Sequence, residues 1–157
     1  MQTNPPPGFT LVLANEEATH RLAADVANIL EPGDLIALAG DLGAGKTTFV
    51  RALIAHLAGD KAIEVPSPTF TLVQNYELPR FTIVHADLYR LESPEEWDTL
   101  GVEDMARDAI VLVEWADRAP GRLPEERLDI ALEYAGAEAR SIRMDPRGPR
   151  WEGFQIA

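Results

Sequence analysis

The segment Gly40–Thr47 reads GDLGAGKT and matches the phosphate-binding pattern G-x-x-x-x-G-K-[ST] at every fixed position. Its glycines let backbone N–H groups turn toward phosphate oxygens, the lysine adds a positive charge, and the threonine hydroxyl is a ligand for Mg²⁺. An apolar run typical of a buried parallel strand precedes the segment at 34–39, and apolar residues at helical spacing follow it as far as Gly59. The sequence therefore predicts a nucleotide-binding loop between a strand and a helix.

The length and composition predict one domain over 1–157, with a loose leader at 1–8 and an Arg- and Pro-rich tail at 146–157. Cysteine is absent, which excludes disulfides and thiolate metal sites. The first ten residues lack the charged and apolar regions of a signal peptide, and no apolar run approaches the ~18 residues that span a membrane. We therefore expect a cytoplasmic protein without membrane contact.

The other elements predict an α/β fold, in which a mixed, mostly parallel sheet is flanked by helices and extended by β-hairpins. Asn15 can cap a first helix, and Ser93 and Pro94 begin a later one. The strands that we expect outside the phosphate-loop unit are 9–13, 69–76, 81–87, 109–113, 128–134 and 141–144, with hairpins at 69–87 and 128–144.

A phosphate loop of this kind needs a carboxylate at the end of a neighbouring strand to hold Mg²⁺. Glu114 follows the apolar run 109–113, so we favour it as the metal ligand over a charged residue that merely ends a strand. Asp87 ends another β-rich run; it could contact Mg²⁺ through water or position the attacking water, and its alternative is a turn cap. His85 lies on the same face as Phe81 and is interpreted as an ordinary strand residue.

Further side chains allow two interpretations each. A hydroxyl of Ser67 or Thr69 could contact the terminal phosphate, or the segment could be a rigid connection. Trp115 belongs to the core or covers the nucleotide site. Arg118 and Arg122 resemble an arginine pair of a phosphoryl-transfer lid, but Pro120 and Gly121 between them favour a solvated loop.

Four motifs occur in order: GDLGAGKTT at 40–48, SPTFTLVQNY at 67–76, HADLYRL at 85–91 and VEWADR at 113–118. With these motifs the chain resembles the bacterial TsaE (YjeE) family over about residues 9–144. The resemblance implies a small P-loop ATPase that acts with TsaB and TsaD partners. Together they transfer a threonylcarbamoyl group to the tRNA adenosine beside the anticodon.

The resemblance also implies roles for individual residues. Lys46 contacts the phosphates, Thr47 and Glu114 hold Mg²⁺, and Asp87 lies at the nucleotide and is needed for ATP hydrolysis. Glu16, near the adenine, and Arg140, in the closing hairpin, are weaker nucleotide contacts. The expected ATP-binding set is completed by the other loop residues, which are Leu42, Gly43, Ala44, Gly45 and Thr48.

The net charge of −12 disfavours tight direct contact with a phosphate backbone, so we expect tRNA to be held by the partners. No arginine finger or general base is assured, which predicts a slow ATPase when the chain is alone. A GTPase is disfavoured because neither lysine, Lys46 or Lys61, has the Asn-Lys-x-Asp context of a guanine reader. Two alternatives stay open: a small-molecule kinase, and a nucleotide-gated adaptor in which hydrolysis is incidental.

Overall fold

The computed structural model describes residues 8–40, 45–61, 63–66 and 71–154. Within these ranges the chain forms seven strands and four α-helices. The strands are β1 (Phe9–Leu13), β2 (Leu35–Gly40), β3 (Val73–Glu77), β4 (Thr82–Asp87), β5 (Ala109–Glu114), β6 (Arg127–Tyr134) and β7 (Arg140–Arg147). The helices are α1 (Glu16–Ala27), α2 (Lys46–Ala58), α3 (Glu96–Leu100) and α4 (Val102–Met105), and short 3₁₀ turns occupy 106–108, 116–118 and 149–151.

All seven strands form one sheet in the order β1-β7-β6-β2-β5-β4-β3. The four central strands, β6, β2, β5 and β4, are parallel to one another, whereas β1, β7 and β3 pair antiparallel at the two sides. The predicted mixed α/β fold is therefore confirmed. Because β2, β5 and β4 run in one direction, the residues that end them lie at the same edge of the sheet.

Helices cover both faces of the sheet. The apolar stripes of α1 and α2, which include Leu22, Val26 and Leu53, pack on one face and bury Ile36 and Leu112. On the other face, Trp97 of α3 and Val102 of α4 pack with Val84, Val111 and Val113. Alternate residues of β4 and β5 thus point to opposite faces, which assigns a face to each polar residue at the strand ends.

Both predicted hairpins form, since β3 pairs with β4 and β6 with β7. Strand β3 begins at Val73, later than predicted, because Leu72 has a left-handed backbone with φ 67°. The helix expected from Ser93 begins at Glu96, because the Glu96 carboxylate accepts the Glu92 and Ser93 N–H groups and closes a turn ahead of it.

Strand β7 continues to Arg147, beyond the predicted end at 144. Pro146 is accommodated there because the pairing with β1 ends at Met144, so among the described strands this part of β7 has only β6 as a neighbour. The described part of the predicted tail packs on the fold. Trp151 and Phe154 are buried, and the Phe154 ring stacks on Phe9 with 6.1 Å between centroids.

Candidate functional site

The beginning of α2 lies at the sheet edge where β2 ends. Gly40 has φ 138°, and a Cβ atom there would overlap the carbonyl oxygen of Leu132 on β6, so no other residue fits. Gly45 caps α2 in the left-handed region with φ 101° and accepts a hydrogen bond from the Phe49 N–H group. The N-terminus of α2, with its partial positive charge, therefore faces this edge.

Thr47 and Glu114, the two predicted Mg²⁺ ligands, lie together. The Thr47 Oγ1 atom donates to Glu114 Oε1 across 3.2 Å, although 67 positions separate them in the sequence. Glu114 ends β5 and its carboxylate is almost fully buried. A hydroxyl and a carboxylate oxygen at this spacing are the donor pair that a phosphate-bound Mg²⁺ takes from a protein.

His85 belongs to the same group of side chains. Its Nε2 atom lies 2.6 Å from Glu114 Oε2, and both side chains are buried, at 1% and 2% exposure. The interpretation of His85 as an ordinary strand residue missed this contact. The available signal was the alternation along β4, which places His85 and Asp87 on the same face as Ile83, the face covered by α2.

Lys46, the first residue of α2, is buried. Its Nζ atom donates to the Gly40 carbonyl oxygen at 2.6 Å and lies 4.1 Å from the centre of the Trp115 ring. Trp115 therefore covers the lysine and also packs against the core cluster around Val113, so it has features of both of its interpretations. The Trp115 backbone is left-handed, with φ 57°, which is a strained conformation for a bulky residue and is typical of functional sites.

Asp87 ends β4 directly opposite Glu114 in the strand register and is 3% exposed. Its Oδ1 atom accepts the Tyr89 N–H group at 2.9 Å, so it does cap the turn that follows the strand. The two interpretations of Asp87 are thus compatible, because one carboxylate caps the turn and also lies at the edge that holds Glu114.

A cleft of about 370 Å³ lies beside the N-terminus of α2. Its lining includes four of the predicted nucleotide contacts, namely Gly45, Thr48, Glu16 and Arg140. The Arg140 guanidinium lies 4.6 Å from the centre of the Tyr134 ring, at the tip of the β6–β7 hairpin. A larger groove of about 880 Å³ is lined by α1, α2 and residues within 59–65, and it shares Glu16, Glu17 and Thr48 with the smaller cleft.

The other predicted residues either fall outside the described ranges or contact other side chains. Leu42, Gly43, Ala44, Ser67 and Thr69 fall outside the described residues. Arg118 is exposed, 5.5 Å from the centre of the Tyr89 ring and 5.9 Å from that of Trp115, the ring that covers Lys46. Arg122 is ion-paired with Asp98 at 2.9 Å and Glu95 at 3.5 Å, so the structure does not bring the two arginines together as a pair over the site.

Comparison with known proteins identifies the family. The family model described as threonylcarbamoyl adenosine biosynthesis protein TsaE matches residues 13–142, which is most of the chain. The chain belongs to the TsaE family. The predicted resemblance is thereby confirmed.

Curated members of the TsaE family show the same likeness. The protein named tRNA threonylcarbamoyladenosine biosynthesis protein TsaE from Rickettsia felis is 45% identical over 130 residues, covering 83% of this chain and 75% of that one. Its namesake from Bacillus subtilis is 37% identical over 139 residues, covering 88% and 85%. The crystal structure of Bacillus subtilis YdiB superposes with a TM-score of 0.73 at 31% identity, covering 96% of this chain and 92% of that one.

Two features are absent from the described part of the chain. In the described ranges, no helix combines the length and the apolar character needed to cross a membrane. The same ranges contain no cluster of three or more His, Cys, Asp or Glu side chains arranged to hold a metal ion.

Proposed function

We propose that the chain works as one P-loop ATPase domain: a Mg²⁺-dependent, ATP-binding and ATP-hydrolysing subunit of a cytoplasmic tRNA-modifying machinery. Acting with TsaB- and TsaD-like proteins, it supports transfer of a threonylcarbamoyl group to the tRNA adenosine next to the anticodon. The observation that carries the proposal is the contact between Thr47 and Glu114, 3.2 Å long, at the start of the helix that follows the GDLGAGKT segment.

The nucleotide phosphates would lie against the N-terminus of α2. Lys46 supplies the positive charge for the outer phosphates, and its Nζ atom now contacts a carbonyl oxygen and an aromatic face. Phosphate oxygens would add charge-assisted contacts to this ammonium group. Thr47 and Glu114 hold the Mg²⁺ ion, which neutralises charge on the phosphates when it is bound.

The base and ribose would extend into the cleft of about 370 Å³ beside Thr48. Glu16 and Arg140 line that cleft from α1 and β7 and offer an acceptor and a planar donor. The loop residues Leu42, Gly43, Ala44 and Gly45 complete the ATP contacts in this proposal. Asp87, opposite Glu114 in the sheet, is the residue that we propose to orient the attacking water and so to control turnover.

A slow reaction in the isolated chain is part of the proposal. Arg118 is exposed against the Tyr89 and Trp115 rings, and Arg122 is engaged by Asp98 and Glu95, so no arginine finger is assured in the chain alone. Partner proteins would supply or order the missing group. The net charge of −12 agrees with tRNA being held by those partners.

The proposal is tested by following threonylcarbamoyl incorporation into tRNA with the partner proteins and the threonylcarbamoyl donor. Three reactions are compared: with this chain, without it, and with the Lys46→Ala variant. Repeated turnover should require the unmodified chain. Equal multiple turnover in all three reactions would contradict the proposed function while leaving the nucleotide site possible.

ATPase rates with and without the partners distinguish the alternatives. Stimulation by the partners supports the proposal. Transfer of phosphate to a small acceptor would instead indicate a kinase, and unchanged modification with a non-hydrolysable ATP analogue would indicate a nucleotide-gated adaptor.

A further inference from the structure

The two carboxylate oxygens of Glu114 have different partners. Oε1 faces Thr47 at the beginning of α2, and Oε2 faces His85 on β4, at 3.2 Å and 2.6 Å. The imidazole and the carboxylate are both nearly inaccessible to solvent. Water therefore does not compete for Oε2, and the contact with His85 sets the rotation of the carboxylate.

The surroundings of the ring indicate which nitrogen of His85 is the donor. The other ring nitrogen of His85, Nδ1, is buried and has no hydrogen-bond partner among the residues that the structure describes. A proton on Nδ1 would be a buried donor without an acceptor, which costs more than a nitrogen lone pair without a donor. The favoured arrangement is Nε2–H donating to Glu114 Oε2.

We propose that His85 is a positioning residue that reserves Oε2 of Glu114, so that only Oε1 is offered to the divalent cation beside Thr47. This inference rests on the proposed function and assigns a role to a residue outside the four-residue set of Lys46, Thr47, Asp87 and Glu114. A metal-binding carboxylate is commonly oriented by an outer partner of this kind, whose loss costs about 10- to 100-fold in metal affinity or activity.

Coordination through one oxygen has a consequence for the choice of cation. Mg²⁺ requires near-octahedral geometry, whereas Ca²⁺ readily accepts both oxygens of one carboxylate in a larger shell. A Glu114 side chain freed from His85 can rotate and present both oxygens. His85 therefore favours Mg²⁺ over Ca²⁺, and this preference is a property that a purely structural histidine would not change.

The test uses the full chain and the binding of a fluorescent non-hydrolysable ATP analogue, titrated separately with Mg²⁺ and Ca²⁺. His85→Met removes the donor at similar volume, and His85→Gln keeps an N–H group at the reach of Nε2. We expect His85→Met to raise the half-saturating Mg²⁺ concentration by about 10-fold or more while the Ca²⁺ value changes less, and His85→Gln to restore most of the preference. His56→Met, at an exposed histidine bonded to Asn28, is the matched control.

Three results would overturn the inference: a Mg²⁺ titration of His85→Met that equals the parent, an equal shift for both cations, or no rescue by His85→Gln. If His85→Met does not fold, His85→Asn takes its place, because the shorter amide cannot reach Oε2. Combining either variant with Glu114→Gln should add no further shift, and an additive shift would count against action through Glu114.

The parent chain distinguishes failure of the proposed function from failure of the positioning role. If it binds the analogue without any divalent cation requirement, the proposed function and this inference both fail. If it requires Mg²⁺ and the His85 variants behave as the parent does, only the positioning role fails.

Discussion

Charged side chains are buried at both ends of the central parallel strands, but their hydrogen-bond partners differ between the two ends. At the end where β2 begins, Asp34 is buried and the Arg150 guanidinium donates to both its oxygens, at 2.7 and 2.8 Å. The same Asp34 accepts the Glu31 N–H group, and Arg150 also donates to the Ile29 carbonyl oxygen. Protein groups alone satisfy this pair, and hydrogen bonding to Asp34 raises the pKa of Arg150.

At the other end, Lys46 is as deeply buried as Asp34, and its Nζ atom contacts the Gly40 carbonyl oxygen and the Trp115 ring. Glu114 contacts a hydroxyl and an imidazole, and His85 Nδ1 lacks a hydrogen-bond partner within the described residues. The Glu114 oxygen that faces Thr47 thus meets a neutral hydroxyl where Asp34 meets a guanidinium. The buried carboxylate at one end is thus paired with a guanidinium, whereas the buried carboxylate at the other end is the one that the proposed function assigns to a metal ion.

The largest expected effect is that of Lys46→Ala. Removing the charge for the outer phosphates should lower partner-stimulated ATP turnover by about 100- to 1000-fold and weaken nucleotide binding, with little loss of stability. Turnover assays and calorimetric titration with ATP measure the two quantities. Lys61→Ala, the change at the other lysine in the chain, is the control. Unchanged affinity and turnover would contradict the assignment of the phosphate loop.

Arg150→Ala should have the reverse effect of Lys46→Ala, lowering stability and leaving nucleotide binding nearly unchanged. It leaves Asp34 buried without its main partner, so we expect a loss of about 3 kcal/mol in the free energy of unfolding, with nucleotide affinity nearly unchanged. Urea denaturation measures the loss. Arg143→Ala breaks an exposed pair with Asp145 and should cost less than about 1 kcal/mol. If Arg150→Ala lowers the free energy of unfolding no more than Arg143→Ala does, the buried pair of Asp34 and Arg150 does not stabilise its end of the sheet.

Glu114→Gln tests the metal side of the site. The change keeps the shape of the side chain and removes its charge, so the Mg²⁺ concentration needed for nucleotide binding should rise by about 10- to 100-fold. The measurement is a Mg²⁺ titration of nucleotide affinity, with thermal unfolding as the check on folding. An identical titration would leave Glu114 as a structural strand end.

Asp87→Asn separates the two interpretations of Asp87. The amide oxygen can still accept the Tyr89 N–H group, so the turn should persist and ADP affinity should change little. Partner-stimulated turnover should fall by about 10- to 100-fold, because the carboxylate charge near the reacting phosphate is lost. Loss of ADP binding together with turnover would instead make Asp87 a binding or folding residue.

The smallest effect is expected from Arg122→Ala. Its ion pairs with Asp98 and Glu95 are partly exposed, so the stability should change by less than about 1 kcal/mol and ATP turnover should remain near that of the parent. A large loss of turnover would revive the kinase alternative that rests on an arginine pair.

Local patterns are sufficient to predict much of this fold. The continuous apolar runs of β2 and β5 indicate central parallel strands, and the prediction that Asn15 caps α1 is confirmed by its 2.9 Å bond to the Ala18 N–H group. The end of β5 at Glu114 follows from the same apolar run. The phosphate-loop pattern and this strand end together predict that Thr47 and Glu114 share a site, and the two side chains are in contact.

The remaining features depend on strand register and backbone strain, which cannot be predicted from short stretches of sequence. His85 reaches Glu114 only because β4 pairs parallel with β5 and places Asp87 opposite Glu114. The Asp34–Arg150 pair joins positions 116 residues apart. The left-handed backbone of Trp115 has no local signal, since turns with positive φ are usually marked by glycine or asparagine.

The strand order has a consequence for how the chain is made. Strand β1 leaves the ribosome first, yet its partner in the sheet is β7, and β2 lies between β5 and β6. Within the described sheet, the phosphate-loop strand therefore has no neighbour until residues 109–114 have been synthesised and lacks its second neighbour until 127–134, and β1 has none until 140–147 follow. Pairings at such sequence distances make folding slow, and they leave apolar strands exposed during synthesis. A nascent chain of this protein thus acquires its nucleotide site late, and truncation before β6 leaves β2 with an open edge.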